Sequence, residues 1–391
     1  MMQRILIISQ IFPSGLSGTS VKTRKTIEAL LDMGFSVDVC CLHHHSMIRN
    51  SFSKKNLRLF VVNKNIISKM SIRYIIKASN ILFSFMPFRI KKMFDSQLQE
   101  QINTLRKNNS YSYIFYDGFS TLQYINTVAI SEERQIYIDD EDITILMKQR
   151  MITTKNLPLK TFYLLEYIRC GFYERKYLDL VDEIWAIAPN TQTRLKKVTK
   201  TKIILMPTIV PEQLNCWLKT SNDIVFTGLL SWSENVNGLR WFLEEVWKEI
   251  TVKHPNTKLR VVGQMADEKL ISELQSIHNV IYHGYVKNLE HVYSKSRLAI
   301  APIFINAGIK VKILTYLSYG IPTVAFKQTT WGMKEIGGVV IANKQNYASK
   351  ITELLSDSKL CQKHSDLGYK NIMNNHSKLN LMQFFKSVGI T

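Results

Sequence analysis

Two lysines, Lys310 and Lys312, stand where a predicted helix begins, after a buried strand and a loop that contains Gly308. The first turn of a helix carries the positive end of its dipole, so a cation there is disfavoured by roughly 0.3–1 kcal/mol. An anion held between the two side chains and the free N–H groups of that turn would reverse the balance, because such a helix end is a ready phosphate site. The pair therefore indicates a site for a phosphate-bearing ligand, with solvated surface lysines as the alternative.

Four acidic residues in a row, Asp139 to Asp142, follow a predicted strand at 136–138. A helix N-cap at Asp140 explains part of the run, since acids in the first turn stabilise a helix. Four acids exceed what capping needs, so Asp140 and Asp142 are also candidates for a site. Asp117, which ends the preceding predicted strand, is a further candidate.

The elements that would position these residues alternate between strand and helix. A continuous apolar strand at 4–9 is followed by a loop with Gly15 and Gly18, a helix at about 20–33 and a second strand at 36–42. Such a unit begins a doubly wound α/β domain. The two glycines do not form a GxGxxG motif, and no acidic residue ends the second strand, so the pattern does not favour dinucleotide binding.

A linker separates this alternation from a second one. Pro207, Pro211 and the polar run 212–222 mark it. We therefore predict an α/β protein of two Rossmann-like, doubly wound domains, 1–212 and 213–375, that face each other across a cleft. A C-terminal helix at about 376–391 could pack back on the first domain. The strands of the second domain end in glycine, proline or short polar loops, and ligands of open α/β sheets bind along that edge.

A long helix is predicted at 159–180. Along it Phe162, Leu165, Ile168 and Phe172 recur at intervals of three to four residues. This spacing is interpreted as packing rather than chemistry.

The composition is that of a globular protein, with 46% apolar and 21% charged residues among 391. Five cysteines without a CxxC pair predict reduced thiols in a cytoplasmic protein, rather than disulfides or a structural zinc. The sequence predicts neither a signal peptide nor a membrane-spanning segment.

The net charge of +20 is unevenly distributed. Residues 49–107 contain 13 basic residues and two acidic ones, interleaved with apolar side chains. Basic and apolar residues together suit an anionic membrane surface. A general abundance of lysine and nucleic-acid binding are the alternatives, but no nucleic-acid-binding motif accompanies the charge. We therefore expect a peripheral protein at the inner face of the plasma membrane, with no nucleic-acid partner.

Several motifs of the second half occur in the order found in one known family. They are Phe226-Thr-Gly-Leu-Leu-Ser-Trp-Ser-Glu-Asn235, Trp241-Phe-Leu-Glu-Glu-Val-Trp247, Leu259-Arg-Val-Val-Gly263, Val280-Ile-Tyr-His-Gly-Tyr-Val286, Gly308-Ile-Lys-Val-Lys-Ile-Leu314 and Gly320-Ile-Pro-Thr-Val324. The ordered set resembles the C-terminal domain of GT-B glycosyltransferases, most closely the retaining family 4 (group 1) enzymes of bacterial surface polysaccharide synthesis. The first half resembles these enzymes more loosely, through 5–9, the Gly15 and Gly18 loop and 183–188.

The resemblance implies a retaining glycosyltransferase that moves a sugar from a UDP- or GDP-linked sugar to a lipid-linked or polysaccharide acceptor. No cofactor or metal is implied, since lysines and helix N–H groups would stabilise the leaving diphosphate. The residues implied for the nucleotide sugar are Gly228, Ser231, Asn235, Gly284, Tyr285, Val286, Gly308, Ile309, Lys310, Lys312 and Thr315. On the acceptor side they are Gly15, Gly18, Thr19, Ser20 and Asp117, with Asp140 and Asp142 as the candidate catalytic groups.

Two positions depart from the family pattern. Its members often carry two glutamates eight positions apart, where this sequence has Ala307 and Thr315. The second glutamate usually contacts the ribose of the nucleotide sugar. A catalytically silent homologue that binds a glycan, a nucleotide or a partner protein is therefore the alternative function. An epimerase of free nucleotide sugars is a third hypothesis.

Overall fold

A computed structural model describes residues 3–13, 18–44, 52–64, 85–125, 133–210, 213, 217, 221–305, 309–330, 333 and 337–391 of the chain. The chain divides into two compact units: unit 1 is Met1–Met206 with Met382–Thr391, and unit 2 is Pro207–Leu381. The predicted domain boundary lies after residue 212, and the division between the units lies after Met206. Both lie in the connection between the consecutive strands Lys202–Leu205 and Asp223–Thr227.

Unit 1 contains a parallel sheet of seven strands among the residues described. They are β1 (Arg4–Ser9), β2 (Ser36–His44), β3 (Leu57–Lys64), β4 (Tyr113–Asp117), β5 (Arg134–Asp139), β6 (Glu183–Ala186) and β7 (Lys202–Leu205). The order across the sheet is β3-β2-β1-β4-β5-β6-β7. The chain therefore winds outward in one direction from β1 and in the other from β4. Between these two strands lies the topological switch point, where ligands of doubly wound sheets bind.

The helices of unit 1 that lie within the described residues cover the sheet. They are α1 (Gly18–Asp32), α2 (Phe88–Met93), α3 (Ser96–Asn108), α4 (Ile143–Thr153), α5 (Leu157–Tyr177) and α6 (Pro189–Leu195), with short 3-10 helices at Phe119–Tyr124 and Leu178–Leu180. Their starts follow local rules. Asp95 caps α3 by accepting hydrogen bonds from two backbone N–H groups, and Asn156 caps α5 just before Pro158.

The last residues of the chain complete the core of unit 1. Trp185 is fully buried on β6 and makes edge-to-face contacts with Phe115 and Phe384, at centroid distances of 5.2 and 5.1 Å. Phe385, also fully buried, lies 5.8 Å from the same ring. Aromatic pairs of this kind add about 0.5–1.5 kcal/mol each beyond their buried area. The C-terminal residues are thus a structural part of unit 1.

Unit 2 contains a parallel sheet of six strands among the residues described. They are β8 (Asp223–Thr227), β9 (Leu259–Val262), β10 (Val280–Gly284), β11 (Ser296–Ala301), β12 (Thr323–Phe326) and β13 (Val339–Ala342). The order β10-β9-β8-β11-β12-β13 puts the switch point between β8 and β11. Strand β13 was not predicted, because its four residues at the sheet edge are mostly half-exposed and form no long apolar run.

The helices of unit 2 are α7 (Ser233–Glu245), α8 (Trp247–Lys253), α9 (Glu268–Ser276), α10 (Glu290–Tyr293), α11 (Val311–Ser318), α12 (Tyr347–Ser356) and α13 (Ser358–Asn375); α14 (Lys378–Ser387) begins in unit 2 and ends in unit 1. Helix α7 packs closely on the end of β11. A Cβ at Gly238 would lie 2.0 Å from the carbonyl oxygen of Pro302, so only glycine fits there.

The packing predicted for α5 is wrong for most of the residues that suggested it. Leu165, Ile168 and Phe172 are 43%, 45% and 52% exposed, although Phe162 does pack on Phe88. Periodic spacing shows that residues share a helix face, but it does not show which way that face points. None of the described helices is both long and apolar enough to cross a membrane.

Candidate functional site

The switch point of unit 2 brings together the ends of two neighbouring strands and the starts of two helices. Strand β8 ends at Thr227 and leads through Gly228 into α7, and β11 leads into α11, which begins at Val311. Lys310 is the N-cap residue of α11 and Lys312 lies in its first turn. Both predicted lysines therefore stand at the positive end of a helix dipole.

Lys312 reaches across from α11 to α7. Its Nζ donates a hydrogen bond of 2.7 Å to Oδ1 of Asn235 and lies 4.5 Å from the ring centroid of Phe226. Burial lowers the pKa of Lys312, and the neighbouring charge of Lys310 lowers it further, to about 7. The ammonium group is therefore held in a place that destabilises its charge.

Lys310 completes the cationic pair. The residue is buried, and its Nζ lies 5.2 Å from the ring centroid of Trp232, close enough for a cation–π contact. Like charges repel, so an arrangement that raises the free energy of Lys312 becomes favourable when an anion binds beside it.

Gly228 leaves the space in which these groups meet. A Cβ there would lie 2.7 Å from Nδ2 of Asn235 and 2.9 Å from Nζ of Lys312. Gly263 on the neighbouring loop is similarly restricted, since its Cβ would lie 2.1 Å from the carbonyl oxygen of Gly228. The backbone at the end of β8 thus approaches the lysines as closely as a glycine allows.

A buried hydroxyl cluster that the sequence did not reveal supports this edge. The hydroxyl of Tyr316 accepts hydrogen bonds from the backbone N–H of Thr227 at 2.7 Å and from its side-chain hydroxyl at 2.9 Å. The hydroxyl of Tyr293 lies 3.4 Å from the same side chain. These contacts tie α11 to the end of β8 and so fix the position of Lys312 relative to Asn235.

The other residues predicted for the nucleotide sugar are more dispersed. The hydroxyl of Thr315 donates a hydrogen bond of 3.0 Å to the carbonyl oxygen of Val311, within its own helix. Ser231 is exposed on the loop after β8. Ile309 is half-buried next to Lys310, and Gly308 lies outside the described residues.

The segment Gly284-Tyr285-Val286 begins at the last residue of β10, at the edge of the sheet and two strands away from β8. Gly284 has a positive φ of 63°, and a Cβ there would lie 4.0 Å from the hydroxyl of Tyr282. The hydroxyl of Tyr285 is buried without a hydrogen-bond partner among the described residues. A backbone hydrogen bond of 2.9 Å from the N–H of Gly263 to the carbonyl oxygen of Gly284 links this turn to the loop beside Gly228.

The switch point of unit 1 holds a buried ion-pair cluster. Asp117, at the end of β4, accepts hydrogen bonds from Nζ of Lys22 at 2.5 Å and from the hydroxyl of Thr23. The same Nζ lies 3.7 Å from Oδ2 of Asp140, which follows β5. Burial alone would lower the pKa of Lys22, but the carboxylates of Asp117 and Asp140 outweigh it and raise that pKa. Burial raises the pKa of Asp117, against the opposing effect of Lys22.

A small pocket of unit 1 opens beside this cluster. Gln10, Arg89, Ser120, Asp140 and Glu141 line it with polar groups. The hydroxyl of Ser120 donates to Oε1 of Gln10 at 2.7 Å, and Arg89 lies 3.5 Å from Glu141. Oδ2 of Asp140 is buried and accepts no hydrogen bond from the described residues. An unsatisfied carboxylate oxygen at a polar pocket can accept a proton or a hydrogen bond from a hydroxyl group.

Asp142 has a different position from Asp140. Its Oδ1 caps α4 by accepting from the N–H of Ile145 at 2.9 Å, and its Oδ2 accepts from Nε of Arg194 at 2.7 Å. Arg194 in turn pairs with Glu174. Because both oxygens of Asp142 are occupied, the geometry favours Asp140 over Asp142 as the carboxylate of the site.

The remaining acceptor-side residues lie around the start of α1. Gly18 is exposed, Thr19 accepts a hydrogen bond from Thr23 at its carbonyl oxygen, and Ser20 is buried. Gly15 lies outside the described residues. Within those residues, no three histidine, cysteine, aspartate or glutamate side chains converge in a way that could hold a metal ion.

Sequence reasoning missed Lys22, Gln10 and Ser120. A signal for Lys22 was present, since it lies near the start of a helix that follows a buried strand and a glycine loop, as Lys310 and Lys312 do. Gln10 and Ser120 directly follow, or nearly follow, the ends of β1 and β4. Their importance depends on the pairing of these two strands, which their own sequences do not specify.

The chain is similar to known proteins both in sequence and in structure. Residues 221–357, in unit 2, match the family described as Glycosyl transferases group 1. A mutant of S. aureus TarM, solved with fondaparinux, α-GlcNAc-glycerol and UDP, is similar in structure over 99% of both chains, with a TM-score of 0.67 and 9% sequence identity. The pneumococcal O-GlcNAc transferase GtfA, solved with UDP and GlcNAc, is similar over 99% of this chain and 98% of its own, with a TM-score of 0.64 and 11% identity.

The protein has the GT-B fold. The resemblance to group 1 glycosyltransferases drawn from the sequence is thereby confirmed, as is the prediction of two Rossmann-like domains. A sequence relative, an uncharacterized 44.6 kDa protein in the cps region of Klebsiella pneumoniae, is 21% identical over 333 residues, which are 80% of each chain. In this GT-B protein the lysine pair lies within the segment that matches the family.

Proposed function

We propose that this GT-B protein is a retaining glycosyltransferase that moves a sugar from a nucleotide diphosphate sugar to a lipid-linked or glycan acceptor of the bacterial cell surface. The observation that carries the proposal is the pair Lys310 and Lys312 at the switch point of unit 2, beside Asn235 and the space kept open by Gly228. The group 1 match and the cps-region relative support the same class of reaction.

The lysine pair would stabilise the departing nucleoside diphosphate. Breaking the bond between the sugar and the diphosphate leaves negative charge on the phosphate oxygens, and cations already in place lower the free energy of that transition state. The lowered pKa of Lys312 fits such a role, because an anion would favour the charged form that burial and Lys310 disfavour. In this mechanism the two lysines and the first turn of α11 do what a metal ion does in other transferases.

The acceptor would bind in unit 1, with its hydroxyl group directed to Asp140. Oδ2 of Asp140, which accepts no hydrogen bond from the described residues, would accept the hydroxyl proton or orient the hydroxyl, and Lys22 at 3.7 Å would stabilise the carboxylate. Gln10 and Ser120 offer hydrogen bonds of the kind that sugar hydroxyls use. Thr19, Ser20 and Asp117 would support this side of the site.

A lipid-linked acceptor would place the protein at the inner face of the plasma membrane. The basic and apolar stretch 49–107 supports this location, since anionic headgroups attract such segments. Retention of configuration rests on the resemblance to the family 4 enzymes. A panel of UDP- and GDP-linked sugars identifies the base and the sugar of the nucleotide sugar that the protein uses.

The decisive experiment combines a nucleotide-sugar panel with the variant Lys310→Ala/Lys312→Ala. Turnover of UDP- and GDP-sugars, with and without glycan acceptors, is followed by release of the nucleoside diphosphate. Removal of two preorganised cations should lower turnover by at least about 10²–10³-fold, because each such group contributes that order to the transition state. The matched control Lys248→Ala/Lys359→Ala removes two exposed lysines of the same unit and should retain full turnover.

Two results would contradict the proposal. Unchanged turnover in the double variant would remove the lysines from the reaction. Calorimetric binding of a nucleotide sugar without turnover on any acceptor would favour the silent homologue, for which the position of Thr315, bonded to its own helix, is the supporting observation.

A further inference from the structure

The outward face of α5 is apolar. Five of its residues, Leu157, Leu164, Leu165, Ile168 and Phe172, are each between 42% and 73% exposed. At 3.6 residues per turn they fall within one arc of about 100° around the helix. The exposed stripe runs from the first residue of α5 almost to its last turn.

The inward face of α5 carries the charges instead. Glu166 is buried and accepts hydrogen bonds from the N–H of Phe88 at 2.8 Å and from Arg169 at 2.9 Å. Glu174 is buried and paired with Arg194. An amphipathic surface helix usually has the opposite arrangement, with apolar residues inside and charges outside. An exposed contiguous apolar stripe marks a surface that contacts something apolar.

Neighbouring residues extend this surface. Phe85 is 82% exposed and makes an edge-to-face contact with Phe172, at a centroid distance of 6.5 Å. Phe88, at the start of α2, packs in the same way on Phe162 at 6.1 Å. We call the five exposed residues of α5 together with Phe85 the α5 surface.

The charged side chains along α4 and α5 that are not buried are of one sign. Residues 143–177 contain seven basic and two acidic residues, and both acidic ones, Glu166 and Glu174, are buried. Lys160 and Lys176 are exposed and flank the apolar arc on its two sides, and Lys155 is exposed in the turn before α5. An apolar stripe bordered by lysines suits an interface with anionic headgroups above an acyl layer.

We propose that the α5 surface docks on an anionic lipid bilayer, with α5 lying in the plane of the interface. A second copy of this chain is a poorer occupant, because pairing two such surfaces would bring their lysine borders together, and juxtaposed like charges oppose association. The proposal goes beyond the proposed reaction and does not depend on it, since it rests on exposure and charge in unit 1. It assigns the apolar contact to α5, in addition to the basic stretch 49–107.

The test is flotation of the full chain with vesicles, without any nucleotide sugar. Vesicles of phosphatidylcholine and phosphatidylglycerol in equal parts are compared with vesicles of phosphatidylcholine alone. The variant Leu164→Gln/Ile168→Gln/Phe172→Gln should lower the bound fraction on anionic vesicles at least about tenfold, since it removes apolar side chains from the interface. The matched control Val252→Gln/Ile341→Gln/Leu379→Gln changes exposed apolar residues of unit 2 and should bind as the wild type does.

A second variant tests the charge. Lys155→Gln/Lys160→Gln/Lys176→Gln should weaken binding to anionic vesicles by about fivefold per lysine and leave binding to neutral vesicles unchanged. Circular dichroism melts verify that all variants fold, as expected for surface substitutions.

Several outcomes would overturn the proposal. One is a wild-type protein that floats with neither vesicle, and another is an apolar variant that floats as the wild type does. An apolar variant that loses self-association in light scattering while its flotation is unchanged would assign the surface to a second copy. Conversely, a wild-type protein that floats as expected but transfers no sugar would support the docking surface and reject the proposed reaction.

Discussion

Lys22 in unit 1 and Lys312 in unit 2 both lie beside the switch point of their sheet but have opposite charge balances. Each lies near the start of a helix that follows a strand flanking the switch point of its sheet. The carboxylates of Asp117 and Asp140 raise the pKa of Lys22 despite its burial, whereas burial and Lys310 lower the pKa of Lys312 to about 7. The first lysine is neutralised by carboxylates within the fold, whereas the charge of the second is opposed by burial and by a neighbouring cation.

This contrast indicates different roles for the two sites. A lysine paired with buried carboxylates stabilises and orients them, so Lys22 would act through Asp140. A lysine held close to another cation lowers the stability of the unliganded protein. Such a loss of folding free energy is typical of binding sites.

The largest effect is expected for Lys22→Met. It leaves Asp117 and Asp140 buried without their cation, which should lower the free energy of unfolding by about 3–5 kcal/mol. Urea denaturation, with hydrogen exchange of β1 and β4 as the local readout, measures it. Lys25→Met on the same helix removes a partly exposed pair with Glu28 and should cost less than about 1 kcal/mol. Equal effects of the two substitutions would remove the contrast.

The carboxylates of unit 1 should separate into a reacting and a structural one. Asp140→Asn should lower sugar transfer by about 10²–10³-fold with little change in stability, because its Oδ2 would act on the acceptor hydroxyl. Asp142→Asn should lower the free energy of unfolding by about 1–3 kcal/mol, through its contacts with Arg194 and the N-terminus of α4, and leave turnover nearly unchanged. Steady-state kinetics measure the turnover of both variants, and thermal melts measure their stability. Loss of turnover in Asp142→Asn, with turnover retained in Asp140→Asn, would make Asp142 the reacting group.

The affinity of unit 2 for a nucleoside diphosphate should depend on pH. Above pH 7 Lys312 is largely neutral in the free protein, so binding must take up a proton. The affinity for UDP or GDP should therefore fall by up to about tenfold per pH unit above 7. Calorimetry in two buffers of different ionisation enthalpy measures both the affinity and the proton uptake. Lys312→Met should bind more weakly at pH 7 and without this dependence; an unchanged pH profile would show that another group titrates.

The smallest effect is a gain in stability for Lys312→Met. The unfolded chain holds this proton up to about pH 10.5 and the folded chain only to about 7, so the wild type becomes more stable as the pH rises between these values. The penalty of the buried charge is therefore greatest below pH 7. The variant should be about 1 kcal/mol more stable than the wild type at pH 6.5, and the difference should reverse sign by pH 9, because the wild type gains about 1.4 kcal/mol per pH unit above pH 7. Thermal melts at both pH values measure the stability difference. A variant that is less stable than the wild type at pH 6.5 would show that the charge of Lys312 does not destabilise the folded protein.

Much of the fold could be predicted because parallel strands buried on both faces are continuous apolar runs. Ile5 to Ile8 are almost completely buried, and their sequence shows it directly. The position of the lysine pair was also predictable. Cations are unusual at the start of a helix, and both the helix start and the lysines can be recognised in one short stretch of sequence. The edge strand β13 and the outward direction of α5 were not, because a short half-exposed strand lacks an apolar run and a periodic stripe does not reveal its direction.

The candidate acceptor site shows the same division more sharply. The run Asp139 to Asp142 is visible in the sequence, but the four acids have different surroundings. Tyr137 donates to Asp139, and Asp142 caps a helix and binds Arg194. Among these four residues as the structure describes them, only Asp140 has a buried oxygen that accepts no hydrogen bond, and this oxygen lies 3.7 Å from Nζ of Lys22. Adjacent residues differ in this way because each side chain meets a different distant element.

The sequence by itself determined the two α/β domains, the family resemblance and the position of Lys310 and Lys312 at the start of a helix, because these depend on local spacing and on the order of motifs along the chain. Only the tertiary structure decided which charges compensate one another. Lys22 and Asp117 are 95 positions apart, and they meet because β1 and β4 are neighbours in the sheet. A pKa depends on what lies within a few ångströms in space, and folding alone brings those groups together.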